Sequence, residues 1–458
     1  MSNHGITTAY VADILGDTVA GLIKLIVDHA VQHDITLYMV GGGVRDLLLS
    51  RRTLDIDFMI DSAQEGEAIR FAETLRARFG GDVTVFKPFG TAKWRLDQST
   101  GDSLGLTLRD LPDHVDFSAA RGETYTHPGA LPTIFRADLK TDLARRDFTI
   151  NTLAIQLTRN DTSESYPVID LFDGVRDLND GVIRVLHDIS FTDDPTRIFR
   201  AARFEHRFGF QLESHTANLM SAAVPIIKRV TGERLRNEIM LLLKEHEPER
   251  ALLKLNERGV LHAIHPALIV TERIVPVFEK IRTLYPDKRP VWAVPGMSVD
   301  DLYLHLIAAY IDLKALPDIC TRLLIPKSTS ESLIDTAQIV QNPGLLSDLN
   351  AQPSQITADM EKKLLDVHNS ASFWAAWLCL SDDHAKNNLA QFASSWRYTR
   401  PSTTGETLKQ LGLKPGKCYG IILNRLRAAR LDGEVKTDNE EHMLIEWLIE
   451  KEICRDHN

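Results

Sequence analysis

A chain of 458 residues that is 43% hydrophobic and 25% charged has the composition of an ordinary globular protein, with room for about three domains. No stretch is apolar for long enough to span a membrane, the polar start MSNHGITTAY lacks the regions of a signal peptide, and Cys320, Cys379, Cys418 and Cys454 show neither metal-ligand spacing nor a disulfide framework, so a reducing cytoplasm is expected. The net charge of −10 does not exclude a nucleic-acid partner, because binding depends on local patches and much of the acidity gathers in the tail from Asp438 onward.

In chain order, residues 17–33 have the periodicity of a helix and lead into YMVGGGVRDLLLSRRTLDIDFMI, residues 38–60. This stretch passes from an apolar strand through Gly41, Gly42 and Gly43 into VRDLLL, which has helical spacing and carries Arg45 and Asp46. It returns as an alternating strand bearing Asp55 and Asp57. Residues two apart on a strand share a face, so the two carboxylates stand side by side with Ile56 and Phe58 turned inward. Close like charges require a cation between them, and hard oxygen ligands suit Mg2+. Glycines ahead of a helix let backbone N–H groups approach a phosphate. A metal site beside a triphosphate cradle is the equipment of nucleotidyl transfer. Either half alone reads as a Gly-rich turn or a surface Asp-x-Asp; their joining in one strand–helix–strand unit points to chemistry.

Residues 64–80 follow as an amphipathic helix stopped at Gly80 and Gly81. Residues 82–96 and 103–120 alternate as strands, so a mixed sheet backed by helices is expected over the first 155 residues. Asp116, in HVDFSA, is either a third carboxylate brought beside Asp55 and Asp57 or an exposed strand residue. The polar stretch 121–140 reads as an irregular, mobile flap. In LARRDFTINTLAI (143–155), Arg145, Arg146, Asp147 and Asn151 precede an apolar helical run. Asp147 and Asn151 lie one turn apart and can reach a single ribose edge, with Arg146 on phosphate, while Asp147 also suits a helix cap. Residues 170–186 read as a loop joining domains.

Helices are expected from there on. Asp194 and Arg197, at i and i+3 after an Asp-Pro opening, pair an acceptor with a fork of donors, a combination that complements cytosine or adenine and also fits a surface salt bridge. Arg200 and Arg203 continue that basic face. Glu233 and Glu238 flank Arg234 and Arg236 as helix–helix salt links. Lys414, Lys417, Arg425 and Arg427 fit either a phosphate contact or a solvated helix face.

The ordered set GGGVRD, DID, RRDFTIN, DDPTR and ERLRNE resembles the class II tRNA nucleotidyltransferase and bacterial poly(A) polymerase family, within the polymerase-beta-like superfamily. Motif coverage runs from Val40 to Glu238. The resemblance implies an α+β fold. A nucleotidyltransferase head of mixed sheet and helices (1–155) would precede a helical neck with a nucleobase-templating helix (156–265) and a helical, tRNA-binding body and tail (266–458). It implies that Asp55 and Asp57 hold Mg2+ and activate the RNA 3′-hydroxyl, and that the turn from Gly41 to Asp46 binds triphosphate. Arg146, Asp147 and Asn151 would read the ribose. Asp194 and Arg197 would template the base, following Asp193 where many relatives have Glu, and Glu233 and Arg234 would brace that helix. RGETYTHPGALP is similar to the flap of A-adding members, which complete a CCA end begun by a separate CC-adding enzyme. The activity implied is template-independent addition of nucleotides to the 3′ end of tRNA from ATP, and from CTP for full CCA addition. A poly(A) polymerase and a catalytically silent RNA-binding protein are the alternatives.

Overall fold

The computed structural model describes residues 6–62, 64–125, 127, 129, 132–158, 165–285, 290–292 and 297–451. The chain divides into two compact units, residues 1–230 and 231–458.

In the first unit, helix α1 (Asp17–Gln32) leads into strand β1 (Leu37–Val40), helix α2 (Gly42–Leu48), strand β2 (Asp57–Ile60) and helix α3 (Glu67–Phe79). Strands β3 (Asp82–Phe86), β4 (Thr91–Arg95) and β5 (His114–Ala119) follow, then the pair β6 (Arg121–Thr124) and β7 (Thr133–Arg136). Helix α4 (Leu139–Ala144), strands β8 (Ala154–Gln156) and β9 (Val168–Ile169), and helix α5 (Arg197–Phe208) carry the remaining motifs.

Seven strands form one sheet in the order β9-β8-β1-β2-β5-β4-β3. Strands β2 and β5 run parallel and the other neighbours antiparallel, so the sheet is mixed as the alternating segments predict. One face is apolar because every second residue of β2, β4 and β5 is large and hydrophobic: Phe58, Trp94, Val115 and Phe117 are fully buried. Helix α3 brings Ala68, Phe71, Ala72 and Leu75 to this core at helical spacing. Phe117 stacks on Phe58 at 5.5 Å and meets Phe71 edge-on at 5.4 Å. Each such ring contributes about 2–3 kcal/mol by burial.

Four segments differ from their sequence reading, each through a local partner. Ser103 and Leu104, read as the start of a strand, instead end the helix Gln98–Leu104, because Asp97 and Thr100 close a capping box at its start and Gly105 takes a left-handed turn at its end. After Phe148 the chain makes a single 3-10 turn, Thr149–Asn151, and then joins the sheet as β8. Branched Thr149, Ile150 and Thr152 favour helix poorly, and pairing of Ile155 with Met39 settles the outcome. Gly174–Asp180 is a helix rather than loop, since Asp170 accepts from the N–H groups of Gly174 and Val175. The flap is not irregular at its base: β6 and β7 form an antiparallel hairpin, while residues 126, 128, 130 and 131 of its tip lie outside the described residues.

The second unit is helical throughout its described residues, with α6 (Gly232–Leu243), α7 (Pro248–Glu257), α8 (Val299–Ala309), α9 (Lys327–Gln341), α10 (Ser370–Cys379), α11 (Lys417–Leu431) and α12 (Asp438–Glu450) among its helices. Phe373 packs edge-on against Phe392 at 5.4 Å, and Phe278 stacks on Tyr303 at 4.3 Å. In α11, Arg427 forks onto Glu361 at 2.6 and 2.9 Å and Arg425 bonds Glu434 at 2.7 Å. Arg427 thus ties two helices of the unit together, whereas Arg425 makes a surface pair, 38% exposed against 51% for Glu434, on a solvated helix face. Cys320 and Cys379 carry free thiols. Among the described residues no helix is long and apolar enough to cross a membrane.

Candidate active site

Asp57 is the first residue of β2, and Asp55 stands exposed just before the strand. Ile56 and Phe58, 2% and 1% exposed, anchor the alternation that turns the acids the other way. Parallel register sets Asp116 directly opposite Asp57, and the charge of Asp55 also reaches Asp57. Burial, and then the charges of Asp55 and Asp116, push the Asp57 carboxyl up to about 6. A group so placed gains from any cation beside it. Asp116 already has a cation near it: its carboxylate lies 3.5 Å from Lys93 Nζ, with the His114 Nε2 ring nitrogen at 3.4 Å. Among the described residues no cluster of three or more His, Cys, Asp or Glu side chains forms a ready metal cage. Two adjacent acids, one of them raised by its neighbours, are still the hard-oxygen donor set that suits a divalent ion.

The glycine turn lies on the other side of Asp57. Gly41 adopts φ +73°, and a Cβ there would collide with Arg146 Nη1. At Gly43 a Cβ would fall 2.9 Å from Met39 Cε and 3.1 Å from the Asp55 carbonyl oxygen. The turn is thus closed by contact on both flanks, and only glycine fits at Gly41. Arg146 fills the space so created. It donates from Nη2 to Asp142 Oδ2 at 3.0 Å, and its buried Nε has no hydrogen-bond partner among the described residues. Its charge also reaches Asp57. A cation held between a glycine turn and two carboxylates, with a donor unsatisfied, is equipped to take an anionic oxygen.

Arg45, Asp147, Asn151 and Arg200 form one network. Asn151 Nδ2 donates to Asp147 Oδ1 at 2.8 Å, and Arg200 Nε donates to Asp147 Oδ2 at 2.6 Å. Burial alone would raise Asp147, but Arg200, Asn151 and Arg197 outweigh it and hold the carboxyl at about 2. Asp147 does not cap a long helix. Arg45, expected on the triphosphate, is 4% exposed: Nη1 donates to Asn151 Oδ1 at 2.6 Å and Nε to Asp46 Oδ1 at 2.8 Å. Its guanidinium packs 5.1 Å from the Phe204 ring and 4.6 Å from that of Phe208. Arg45 is therefore a strut linking α2, Asn151 and α5, and Asp46 is its counter-ion.

Arg197 opens α5 and is 5% exposed, so it is no surface salt-bridge residue. Its Nη2 donates to the Arg145 carbonyl at 2.8 Å and its Nη1 to Ser190 Oγ at 2.5 Å. Asp194, in extended conformation just before, accepts from Thr196 N and Oγ1 at 3.1 and 2.6 Å. Arg203, half-buried, lies one turn along α5 from Arg200. Several structural partners are invisible from motif spacing: Phe204 and Phe208 under Arg45, Lys93 and His114 beside Asp116, and Glu123 on the hairpin, which accepts from Arg145 Nη1 at 2.7 Å. Asp142 was legible. It sits three and four residues before Arg145 and Arg146, the spacing of helical ion pairs, and it binds both.

Residues 37–184 match the poly A polymerase head domain, and residues 209–270 match a probable RNA and SrmB-binding site of polymerase A. The chain is 35% identical over 432 residues to an A-adding tRNA nucleotidyltransferase of Geobacter sulfurreducens, covering 89% of this chain and 44% of that protein. A CC-adding tRNA nucleotidyltransferase of the same organism is 27% identical, with 92% of this chain and 94% of that protein covered. The chain spans between 31% and 53% of the length of the first three A-adding relatives it matches. Among solved structures, a Thermotoga maritima CCA-adding enzyme complexed with tRNA superposes with a TM-score of 0.68 at 25% identity, covering 98% of this chain and all of that one. With its mixed-sheet head, its helical remainder and the motifs gathered around Asp57, the chain is similar to tRNA nucleotidyltransferases, and its residues 37–184 match the poly A polymerase head domain.

Proposed function

We propose that this protein adds nucleotides without a template to the 3′ end of tRNA, with the terminal adenosine from ATP as its product step and pyrophosphate released. The observation that carries the reading is Asp57: a carboxylate raised by burial and by two flanking acids, standing next to a glycine turn against which Arg146 packs. The residues fit a divalent cation, and Mg2+ held by Asp55 and Asp57 would supply charge neutralisation for the attacking and leaving oxygens. Gly41, Gly42, Gly43 and Arg146 bind the triphosphate in this reading. Asp147 and Asn151, kept rigid by Arg45 and Arg200, present the ribose contact. Asp194 and Arg197 offer the base its acceptor and donors, with Arg203 further along the same helix. Asp116 faces the incoming RNA.

Choice of the terminal A rests on the 35% identity to an A-adding relative against 27% to the CC-adding one, and on the hairpin at Arg121–Arg136. A separate CC-adding enzyme acting on the same tRNA, and a cytoplasmic site of action, belong to the same proposal. So does the functional division into head (1–155), neck (156–265) and tRNA-binding body and tail (266–458). The test is direct: incubate the protein with tRNA lacking its end, or ending in two cytidines, give each nucleoside triphosphate separately and together, and size the product. One A added only after two cytidines is the expected result. Three added residues would make it a full CCA-adding enzyme using CTP, and a long tail a poly(A) polymerase. No product would leave an RNA-binding protein without transfer.

A further inference from the structure

Beyond the carboxylates, the sheet carries an open row of side chains. Asp57 pairs with Asp116, Asp116 with Lys93, and Lys93 with Thr84, so four strands place these residues on one face in one line. One step along, His114 pairs with Arg95; one step the other way, Thr91 pairs with Phe86. The opposite face of the same strands is the buried one, with Ala92, Trp94, Val115 and Phe117 all at 0% exposure. Lys93 Nζ is 2.9 Å from His114 Nε2, and both side chains stay more than a third exposed while touching Asp116. Arg95 is exposed, and Phe86 is 42% exposed.

Displacement at phosphorus places the entering and leaving oxygens on opposite sides. The glycine turn and Arg146 stand on the β1 side of Asp57. A triphosphate bound there leaves the β5 and β4 side for the attacking hydroxyl, and that is the side of Lys93, Arg95 and His114. Strands are spaced ~4.8 Å apart, so Lys93, two strands from Asp57, is about 10 Å away, within reach of a single nucleotide. We infer that Lys93 and Arg95, with His114, bind the last phosphodiester groups of the RNA strand being extended, and that Phe86 stacks on its unpaired terminal base. A basic track interleaved with an exposed aromatic is the arrangement that holds single-stranded ends. Asp116 then shares Lys93 with the RNA. This rests on the nucleotide-addition reading above.

The experiment measures binding of a tRNA ending in two cytidines to the full-length protein by fluorescence anisotropy over a range of salt, with ATP binding to the RNA-free protein followed by calorimetry and folding by thermal melts. Combined Lys93→Ala and Arg95→Ala substitution should weaken RNA binding at least about tenfold and flatten the salt dependence by roughly 0.7 in slope for each phosphate lost, with ATP binding unchanged. Lys93→Arg should restore affinity. Phe86→Ala should cost about fivefold or more without altering the slope. If the folded double variant binds RNA with unchanged affinity and slope while transfer falls, Lys93 serves only to neutralise Asp116 and the inference is wrong. A wild-type protein that extends no RNA would instead overturn the nucleotide-addition reading itself.

Discussion

Asp57 carries its charge where burial and two neighbouring acids disfavour it, and the consequence has a definite sign. Its folded pKa, about 6, lies above the ordinary 3.8, so in the metal-free protein the charged form penalises the fold increasingly from pH 3.8 up to about 6 and constantly above. Asp57→Asn should therefore raise the melting temperature of the metal-free protein at pH 7, with the gain vanishing below pH 4, while abolishing transfer. Calorimetric titration with Mg2+ or Mn2+ should show affinity falling by up to about tenfold per pH unit below 6, as protons compete for the carboxylate. Affinity flat from pH 7 to 5 would show that Asp57 is not a ligand. Arg45 tests a different property. Removing this buried guanidinium in Arg45→Ala strips Asn151 and Asp46 of a partner and leaves Phe204 and Phe208 facing a void. A loss of about 3 kcal/mol or more is expected in denaturant unfolding. Discrimination between ATP and its 2′-deoxy analogue should weaken with it, because Asn151 loses its orientation.

At the scale of elements, the turn between β1 and α2 depends on one backbone angle. Gly41→Ala forces a side chain into φ +73° and against Arg146. The strain costs about 1–2 kcal/mol, and displacement of Arg146 from the proposed phosphate site should weaken ATP binding by about tenfold. Near the other end of the chain, α12 is tied down by Glu441. That carboxylate is 1% exposed and accepts from Thr403 N and Oγ1 at 2.7 and 2.6 Å and from Arg430. Burial would raise its pKa, but the bonds from Thr403, Arg430 and Ser402 outweigh it and hold the group at about 2. A depressed acid contributes stability above its unfolded value of 4.5 and loses it as pH falls toward 2. Glu441→Gln should lower the melting temperature at pH 7 and match the wild type near pH 2; an equal deficit at both would assign the effect to packing.

For the whole molecule, two units with separate cores predict two calorimetric transitions. Asp57→Asn and Arg45→Ala should move only the transition of residues 1–230, and Glu441→Gln only that of residues 231–458. A single transition displaced by all three would mean that the chain unfolds as one. The same division of scales separates what could be read early from what could not. Asp55, Asp57 and the glycine turn were legible because strand alternation and a left-handed backbone are local properties, set by neighbours a few residues away. The helical character of the second unit followed from periodicity in the same way. The partners of each charge were not legible. Whether Arg45 meets a phosphate or Phe208, whether Arg427 faces solvent or Glu361, and whether Asp116 has Lys93 beside it are decided by strand register and helix packing between segments far apart in the chain. Only the folded sheet brings β4 next to β5 at that register, and burial then makes each charge choose the partner within reach over water.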